Sequence, residues 1–294
     1  MLNLDKLNLE DCRGFYADEV RFIAELSSPA LVGALARVPR EKFLGPGPWQ
    51  IGSPESRSSG GMGQPVYVSV DDPRDLYHNV LVGIDRAKSL NNGQPSALAR
   101  WIGALELKAG ERVYHLGCGV GYYTAIMAEV VGPGGSVVTS EVDLELAARA
   151  RENLSDYANV TVHAGDGADF DPGDCDAIFI NAGVTHPHAF WLDRLREGGR
   201  LMLPITMSVS PTLGYGLMTM IVRRPGGFAA QWISRVGIFS CTSVRDPELE
   251  PLIKKAFTTQ TLLKVKSLRR DTHEVADTCL VHASAMCLSS AELA

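Results

Sequence analysis

The stretch VYHLGCGVGYYT, residues 113–124, runs a strand-like apolar segment through three closely spaced glycines and straight into a helical one. Glycines permit positive backbone angles and close approach of a ligand to the main chain. A helix starting directly after such a turn offers unpaired N–H groups. The surrounding pattern narrows the fold further. Residues 112–116 read as a strand. Residues 122–131 read as a helix ending at Gly132-Pro133, a common helix stop. Residues 136–140 are a strand, and Asp143 can cap a helix that runs to Leu154. Residues 160–163 and 176–180 are strands, 187–195 a helix, and 200–204 a strand after Gly198-Gly199. This repetition predicts an α/β fold, a doubly wound, mostly parallel sheet covered by helices. Residues 217–223 and 232–240 follow without a clear helix between them and predict an antiparallel pair.

The glycine turn alone is compatible with a plain tight turn. Two nucleotide motifs are separable from it. The dinucleotide fingerprint needs a third glycine three positions after the second, where Tyr122 stands here. A phosphate-binding P-loop needs Gly-Lys-Ser/Thr, which is absent. The second strand ends in Glu141, and a carboxylate at that tip can accept hydrogen bonds from ribose hydroxyls. The third ends Ala164-Gly165-Asp166-Gly167, where Asp166 can reach an adenine amino group. A solvated acid and a Gly-Asp-Gly turn are the plain alternatives. Three such features at successive strand ends point instead to a ligand at the sheet edge, where open α/β sheets bind.

The flanks are less regular. Residues 9–44 look helical, with Phe15, Glu19, Phe22, Ile23 and Leu26 near one face, a break at Ser28-Pro29 and an end at Val38-Pro39-Arg40. Residues 45–75 are rich in Gly, Pro and Ser and read as a long irregular segment of the lid or binding-loop kind. Residues 77–87 fit a strand or a short helix, and 95–105 a helix with Pro95 in its first turn. From Asp246 a more polar tail holds a helix at 251–258 and a strand at 278–288. The expected organisation is a helical and loop segment over 1–105 covering the substrate side, a core over 106–245 and an extension over 246–294.

Charge and composition exclude some functions. The net charge is −6, without the basic balance of a nucleic-acid binder, so no nucleic-acid partner is expected. No apolar run approaches the ~20 residues that span a bilayer, so no membrane role is expected. MLNLDKLNLEDCRG lacks a basic start followed by an apolar stretch, so a secretory signal is not expected and a cytoplasmic protein is. The six cysteines (12, 118, 175, 241, 279 and 287) show no CxxC pair and no zinc-like spacing. They read as reduced thiols, and no metal site is assigned.

Residues 110–206 resemble the class I S-adenosylmethionine-dependent methyltransferases, and within them the protein-L-isoaspartate O-methyltransferase family. The resemblance rests on VYHLGCGVGYYTAIMAEVVGPGG, SEVDLELAARARENL, NVTVHAGDG, CDAIFINAG and LREGGRLMLPI. It extends upstream to ALARVPREKFL and to NNGQPSALA, and it covers roughly residues 10–240. It implies S-adenosyl-L-methionine as cofactor, held by His115, Gly117, Cys118, Gly119, Gly121, Tyr122, Glu141, Val142, Gly165, Asp166, Gly167 and Asn181. It also implies a peptide or protein substrate bearing an isoaspartyl-like carboxylate. The alternatives are a peptide-tailoring or small-molecule O-methyltransferase and a catalytically inactive cofactor-binding module.

Two positions depart from the family. An acidic residue usually stands two positions before the first loop glycine; here it is His115. A satisfied core histidine is one reading, a rearranged cofactor contact the other. The family's active-site serine falls on Gly93 when Gln94-Pro95 are aligned. A carboxylate is already ionised at pH 7 and needs no general base, only alignment and exclusion of water. Asn91, Asn92 and Gln94 supply amides that can orient it and are the expected catalytic residues. Past the fourth strand, His186 is a candidate base if the acceptor is a hydroxyl.

Overall fold

The protein is described from a computed structural model covering residues 7–57, 65–284 and 286–293. Helix α1 (Leu9–Ala24) starts at Asn8, whose side chain accepts from the Asp11 N–H while Asp11 accepts from Asn8 in return. That reciprocal box satisfies two donors the first turn leaves orphaned. Ser28 caps α2 (Pro29–Arg37), and α3 (Arg40–Leu44) follows. The helices are where the spacing predicts them, and the buried residues of α1 are not simply its apolar ones. Tyr16, Val20 and Ala24 lie inward at four-residue steps, whereas Phe15 and Phe22 are exposed. The neighbours that decide this are α2 and the later helix over Pro95–Ala104.

Residues 45–75 are not one irregular segment. Strands β1 (Trp49–Arg57) and β2 (Pro65–Val70) pair antiparallel, and β3 (Leu81–Asp85) and β4 (Leu90–Asn91) complete a small sheet ordered β2-β1-β3-β4. Pairing of Trp49-Gln50-Ile51 with Val68-Ser69-Val70 overrides the turn-forming composition around it. The part at 58–64 lies outside the described residues. Buried Arg40 ties the connection between β2 and β3 to the helices by donating to the Leu76, His78 and Val80 carbonyls.

Helix α4 (Pro95–Ala104) leads into the main sheet: β5 (Arg112–Leu116), α5 (Tyr122–Val131), β6 (Ser136–Glu141), α6 (Leu144–Asn153), β7 (Val160–Ala164), β8 (Cys175–Ile180), α7 (Ala189–Arg194) and β9 (Leu195–Ser208). Strands β10 (Leu213–Arg224) and β11 (Gly227–Phe239) form the expected antiparallel pair. After α8 (Leu249–Thr258) come β12 (Ser267–Arg269), β13 (Cys279–Ala283) and β14 (Met286–Ser289). The order is β13-β14-β12-β11-β10-β9-β8-β5-β6-β7, with β9-β8-β5-β6-β7 parallel. The last three strands thus extend the central sheet.

Period-two alternation distributes this sheet between two cores. Val113, Val137, Phe179 and Met202 pack with α1, α2, α4 and α5, while Tyr114, Val138, Ile178 and Leu201 pack with α7 and α8. Helices on both faces are the doubly wound arrangement. Each fully buried aliphatic side chain contributes about 1.5–3 kcal/mol of transfer free energy. Among the described residues no helix is long and apolar enough to cross a membrane.

Candidate functional site

Strand order reverses at β5, which lies between β6 and β8, and ligands in such sheets bind beyond the strand ends at that point. The glycine loop occupies this place. Gly117 donates to the Ser140 carbonyl at 2.9 Å, and Asn181 donates from its backbone to Leu116 at 2.8 Å and from its side chain to Gly117 at 3.2 Å. The tips of β5, β6 and β8 are thereby laced together.

Gly119 is the open member of the loop. A Cβ there would meet nothing within 4 Å among the described residues, and its φ of +56° is left-handed. Its N–H donates to Glu141 Oε2 at 2.8 Å, and the Asp143 N–H donates to Oε1 at 3.1 Å. Gly121 instead packs on Leu154, which a Cβ would approach to 2.8 Å. Glu141 is buried, and burial raises its pKa above the ordinary glutamate value, with the backbone donors of Asp143 and Gly119 opposing that. A carboxylate has about four lone-pair sites, so two remain for hydroxyl donors. Val142, next in sequence, exposes its side chain at the same strand end.

At the tip of β7, Gly165 donates to the Glu141 carbonyl at 2.9 Å. Half-buried Asp166 accepts from the Ala168 N–H at 2.9 Å through Oδ1 and from Thr242 Oγ1 at 3.5 Å through Oδ2. The Tyr114 hydroxyl donates to the Gly167 carbonyl at 2.9 Å, and a Cβ on Gly167 would stand 2.5 Å from that hydroxyl. Gly167 is therefore small so that the turn can lie against the sheet.

Three residues of the expected cofactor set point elsewhere. His115 is fully buried, stacked on Phe179, with Nδ1 2.9 Å from Thr124 Oγ1. Burial pushes its pKa down to about 3, so it is a neutral residue packed between β5 and α5. The Tyr122 ring is buried, with its hydroxyl donating to Tyr16 at 3.3 Å, so only its backbone stands at the helix start. The Cys118 thiol is buried and pushed up to about 12 by that burial, which makes it a poor nucleophile.

The β4–α4 connection reaches this region from the small sheet. Gly93 has φ +74°, and a Cβ on it would stand 2.7 Å from Leu98 Cδ2 and 3.9 Å from Tyr123 in the first turn of α5. Asn91 Oδ1 accepts the Gly93 N–H at 2.9 Å. Asn92 is buried and its Nδ2 has no hydrogen-bond partner among the described residues. Gln94 stands before the first turn of α4 without a side-chain cap bond. The His186 ring lies 2.9 Å from the Thr185 hydroxyl, and burial lowers its pKa.

Two contacts had no signal in the sequence. Thr242 meets Asp166 across 76 positions because residues 239–244 cross the end of β8, with Gly183 donating to Phe239 and Thr185 to Val244. Lys88, in the β3–β4 turn, pairs with Asp143 at 2.8 Å and so links the small sheet to the cap of α6. Both join segments remote in sequence.

A family model described as Protein-L-isoaspartate(D-aspartate) O-methyltransferase (PCMT) matches residues 65–214. The protein-L-isoaspartate O-methyltransferase of Ignicoccus hospitalis is 38% identical over 138 residues, 46% of this chain and 64% of that protein, so the match spans less than two thirds of that relative. Protein-L-isoaspartate O-methyltransferase 1 of Rhodopseudomonas palustris is 32% identical, with 67% of this chain and 72% of that protein covered. The Aeropyrum pernix protein of the same description is 31% identical, with 71% of each covered. A solved structure described as a protein-L-isoaspartate O-methyltransferase has a TM-score of 0.55 at 21% identity, covering 84% of this chain and 70% of that one. A Plasmodium falciparum structure, described as a β-aspartate methyltransferase in complex with S-adenosyl-L-homocysteine, has a TM-score of 0.57 at 17% identity, covering 78% and 98%. At those identities the structures speak for the shared fold.

Proposed function

We infer the function from one premise: the chain belongs to the protein-L-isoaspartate(D-aspartate) O-methyltransferase family. The reaction is S-adenosylmethionine-dependent methyl transfer to a carboxylate, and the acceptor is an isoaspartyl or related aspartate-derived group in a peptide. The observation that carries this reading is the placement of Glu141 and Asp166 at the tips of adjacent strands beside Gly119, the loop glycine with open space around it.

The donor set fits the cofactor. Glu141 keeps two acceptor sites for the ribose hydroxyls, Asp166 accepts from the adenine amino group, and the loop backbone at Gly119, with open space around it, allows close approach. The bound cofactor supplies a methyl group on a sulfonium, already activated for displacement. The chain must then align the acceptor and exclude water. Asn92 is the candidate orienting group, because its buried Nδ2 is a donor awaiting an acceptor. A carboxylate accepts from such a donor and needs no base.

Gly93 favours a second reading. Its left-handed backbone and the Leu98 contact disfavour the serine that the family usually carries there. A loop rebuilt in this way suits another carboxyl acceptor, on a tailored peptide or a small molecule. Labelled methyl transfer to a matched pair of aspartyl and isoaspartyl peptides separates the two. Label on the isoaspartyl peptide alone supports the first reading. No label on either, with S-adenosyl-L-homocysteine bound in calorimetry, rejects it and leaves the second.

A further inference from the structure

Sequence spacing gives no metal motif in the tail, because His273, Cys279, His282 and Cys287 read as H-x5-C-x2-H-x4-C. The fold converts that spacing into a cluster. Strands β13 and β14 form a hairpin in which His282 stands opposite Cys287. In a regular strand Cys279 and His282, three apart, would point to opposite faces. The ladder is irregular between Cys279 and Val281, and such a bulge re-aims a side chain. Cys279 therefore joins His282 and Cys287 on one side, and His273 arrives from the β12–β13 connection. One ligand atom from each of the four lies within 4.8 Å of all the others.

We propose that His273, Cys279, His282 and Cys287 bind a structural zinc ion. Zinc–sulfur bonds of about 2.3 Å and zinc–nitrogen bonds of about 2.0–2.1 Å put tetrahedral donors roughly 3.3–3.8 Å apart. His273 Nε2 already stands 3.7 Å from Cys279 Sγ, so the cluster needs only a small contraction. Its His273 ring is preset. Nδ1 lies 2.9 Å from the Asp271 carbonyl, which can only accept, so Nδ1 carries the proton and Nε2 is left with its lone pair. The Ala276 N–H donates to Cys279 Sγ at 3.4 Å, which favours the thiolate. His282 Nδ1 is buried without a hydrogen-bond partner among the described residues. Two thiolates and two neutral imidazoles around Zn²⁺ are electrically neutral in sum, and binding releases the two thiol protons. Four protein donors close the coordination sphere, which marks a structural ion and not a catalytic one.

The ion has mechanical work to do. Strand β13 is the outer edge of the ten-stranded sheet. Residues 270–278 have no regular secondary structure, and Thr272, Glu274, Val275, Ala276 and Asp277 are exposed. Zinc at His273 ties this connection to the hairpin, whose Val281, Met286 and Leu288 pack in the core that includes α8.

The test uses the full chain, lysed in an alkylating agent for thiol mapping and purified separately without chelators. Metal analysis should find about one zinc per chain, and cobalt exchanged into the site should show thiolate charge-transfer and tetrahedral d–d bands. Cys279→Ser and Cys287→Ser should each lower zinc to roughly a tenth or less, whereas Cys12→Ser should retain it. The cobalt spectrum of the unaltered chain decides the matter even if the serine variants fold poorly. Reduced protein that holds no zinc and gives no thiolate–cobalt band overturns the proposal. So does a Cys279–Cys287 disulfide in the alkylated lysate.

Discussion

The carboxylate of Glu141 accepts the backbone N–H of Gly119 at 2.8 Å, so the acid expected to hold ribose also holds the loop expected to face it. Glu141→Ala removes both. Each charge-assisted hydrogen bond lost to a ligand hydroxyl costs about 1.5–3 kcal/mol. The affinity for S-adenosyl-L-homocysteine should therefore fall at least tenfold in calorimetry. Unchanged affinity in a folded variant would reject the placement.

The same acid sets a pH dependence. Burial raises its pKa, and hydroxyl donors favour the ionised form. Product affinity should thus weaken as pH falls into the range just above the ordinary glutamate value, by up to about tenfold per pH unit. Glu141→Gln cannot ionise and should flatten that part of the profile. Parallel profiles for the two proteins would assign the titration to another group.

Asp166 is expected to select adenine. Its Oδ1 is engaged by the Ala168 N–H and its Oδ2 only at 3.5 Å by Thr242, which leaves acceptor capacity toward the cleft. Asp166→Ala should weaken adenosyl ligands and leave homocysteine-like fragments unaffected in competition binding. Equal binding of a guanine-containing analogue by the unaltered chain would count against this role.

His115 carries a stability signature. Its folded pKa is pushed down to about 3, whereas a free imidazole titrates near ~6.5. Between those values the unfolded chain binds more protons, so stability rises with pH and is lost as acid is added. Urea unfolding from about pH 4 to about pH 7 should show a steeper dependence for the unaltered chain than for His115→Gln. Coincident slopes would show that the ring is not held neutral.

How far the sequence reached follows from these residues. Strand, glycine turn and helix were legible around Gly117–Gly121 because local propensity and tertiary structure agree there. The hairpin of β1 and β2 was not, because its Gly, Pro and Ser content signals turns while cross-strand pairing decides the outcome. The inward face of α1 is not legible in the pattern, because Phe15 and Phe22 are apolar yet exposed, and only the packing of α2 and α4 identifies Tyr16 and Val20 as core. At the site, Glu141 and Asp166 stand at strand ends that alternation predicts. Thr242 and Lys88 depend on chain crossings that no local pattern encodes.

The simplest expectation from the resemblance is that restoring serine at 93 activates the enzyme. Two features of the backbone oppose it. The φ of +74° is a conformation that side chains rarely adopt, and a Cβ would come within 2.7 Å of Leu98 Cδ2. Backbone strain of this kind costs of order 1–3 kcal/mol. Gly93→Ser should therefore lower the unfolding midpoint and fail to raise turnover, and Gly93→Ala should destabilise similarly because both share the strained backbone. The functional burden then passes to Asn92, whose unpartnered Nδ2 adjoins this turn. If it orients the acceptor carboxylate in the transition state, Asn92→Ala should reduce kcat on an isoaspartyl peptide roughly tenfold to a hundredfold, the range for one hydrogen bond to a charged acceptor. Product affinity should stay unchanged, since the adenosyl contacts are proposed at Glu141 and Asp166. A variant that loses cofactor affinity and turnover together would make Asn92 a support of the fold, and a Gly93→Ser protein more active than its parent would mean that this turn can relax to the serine geometry.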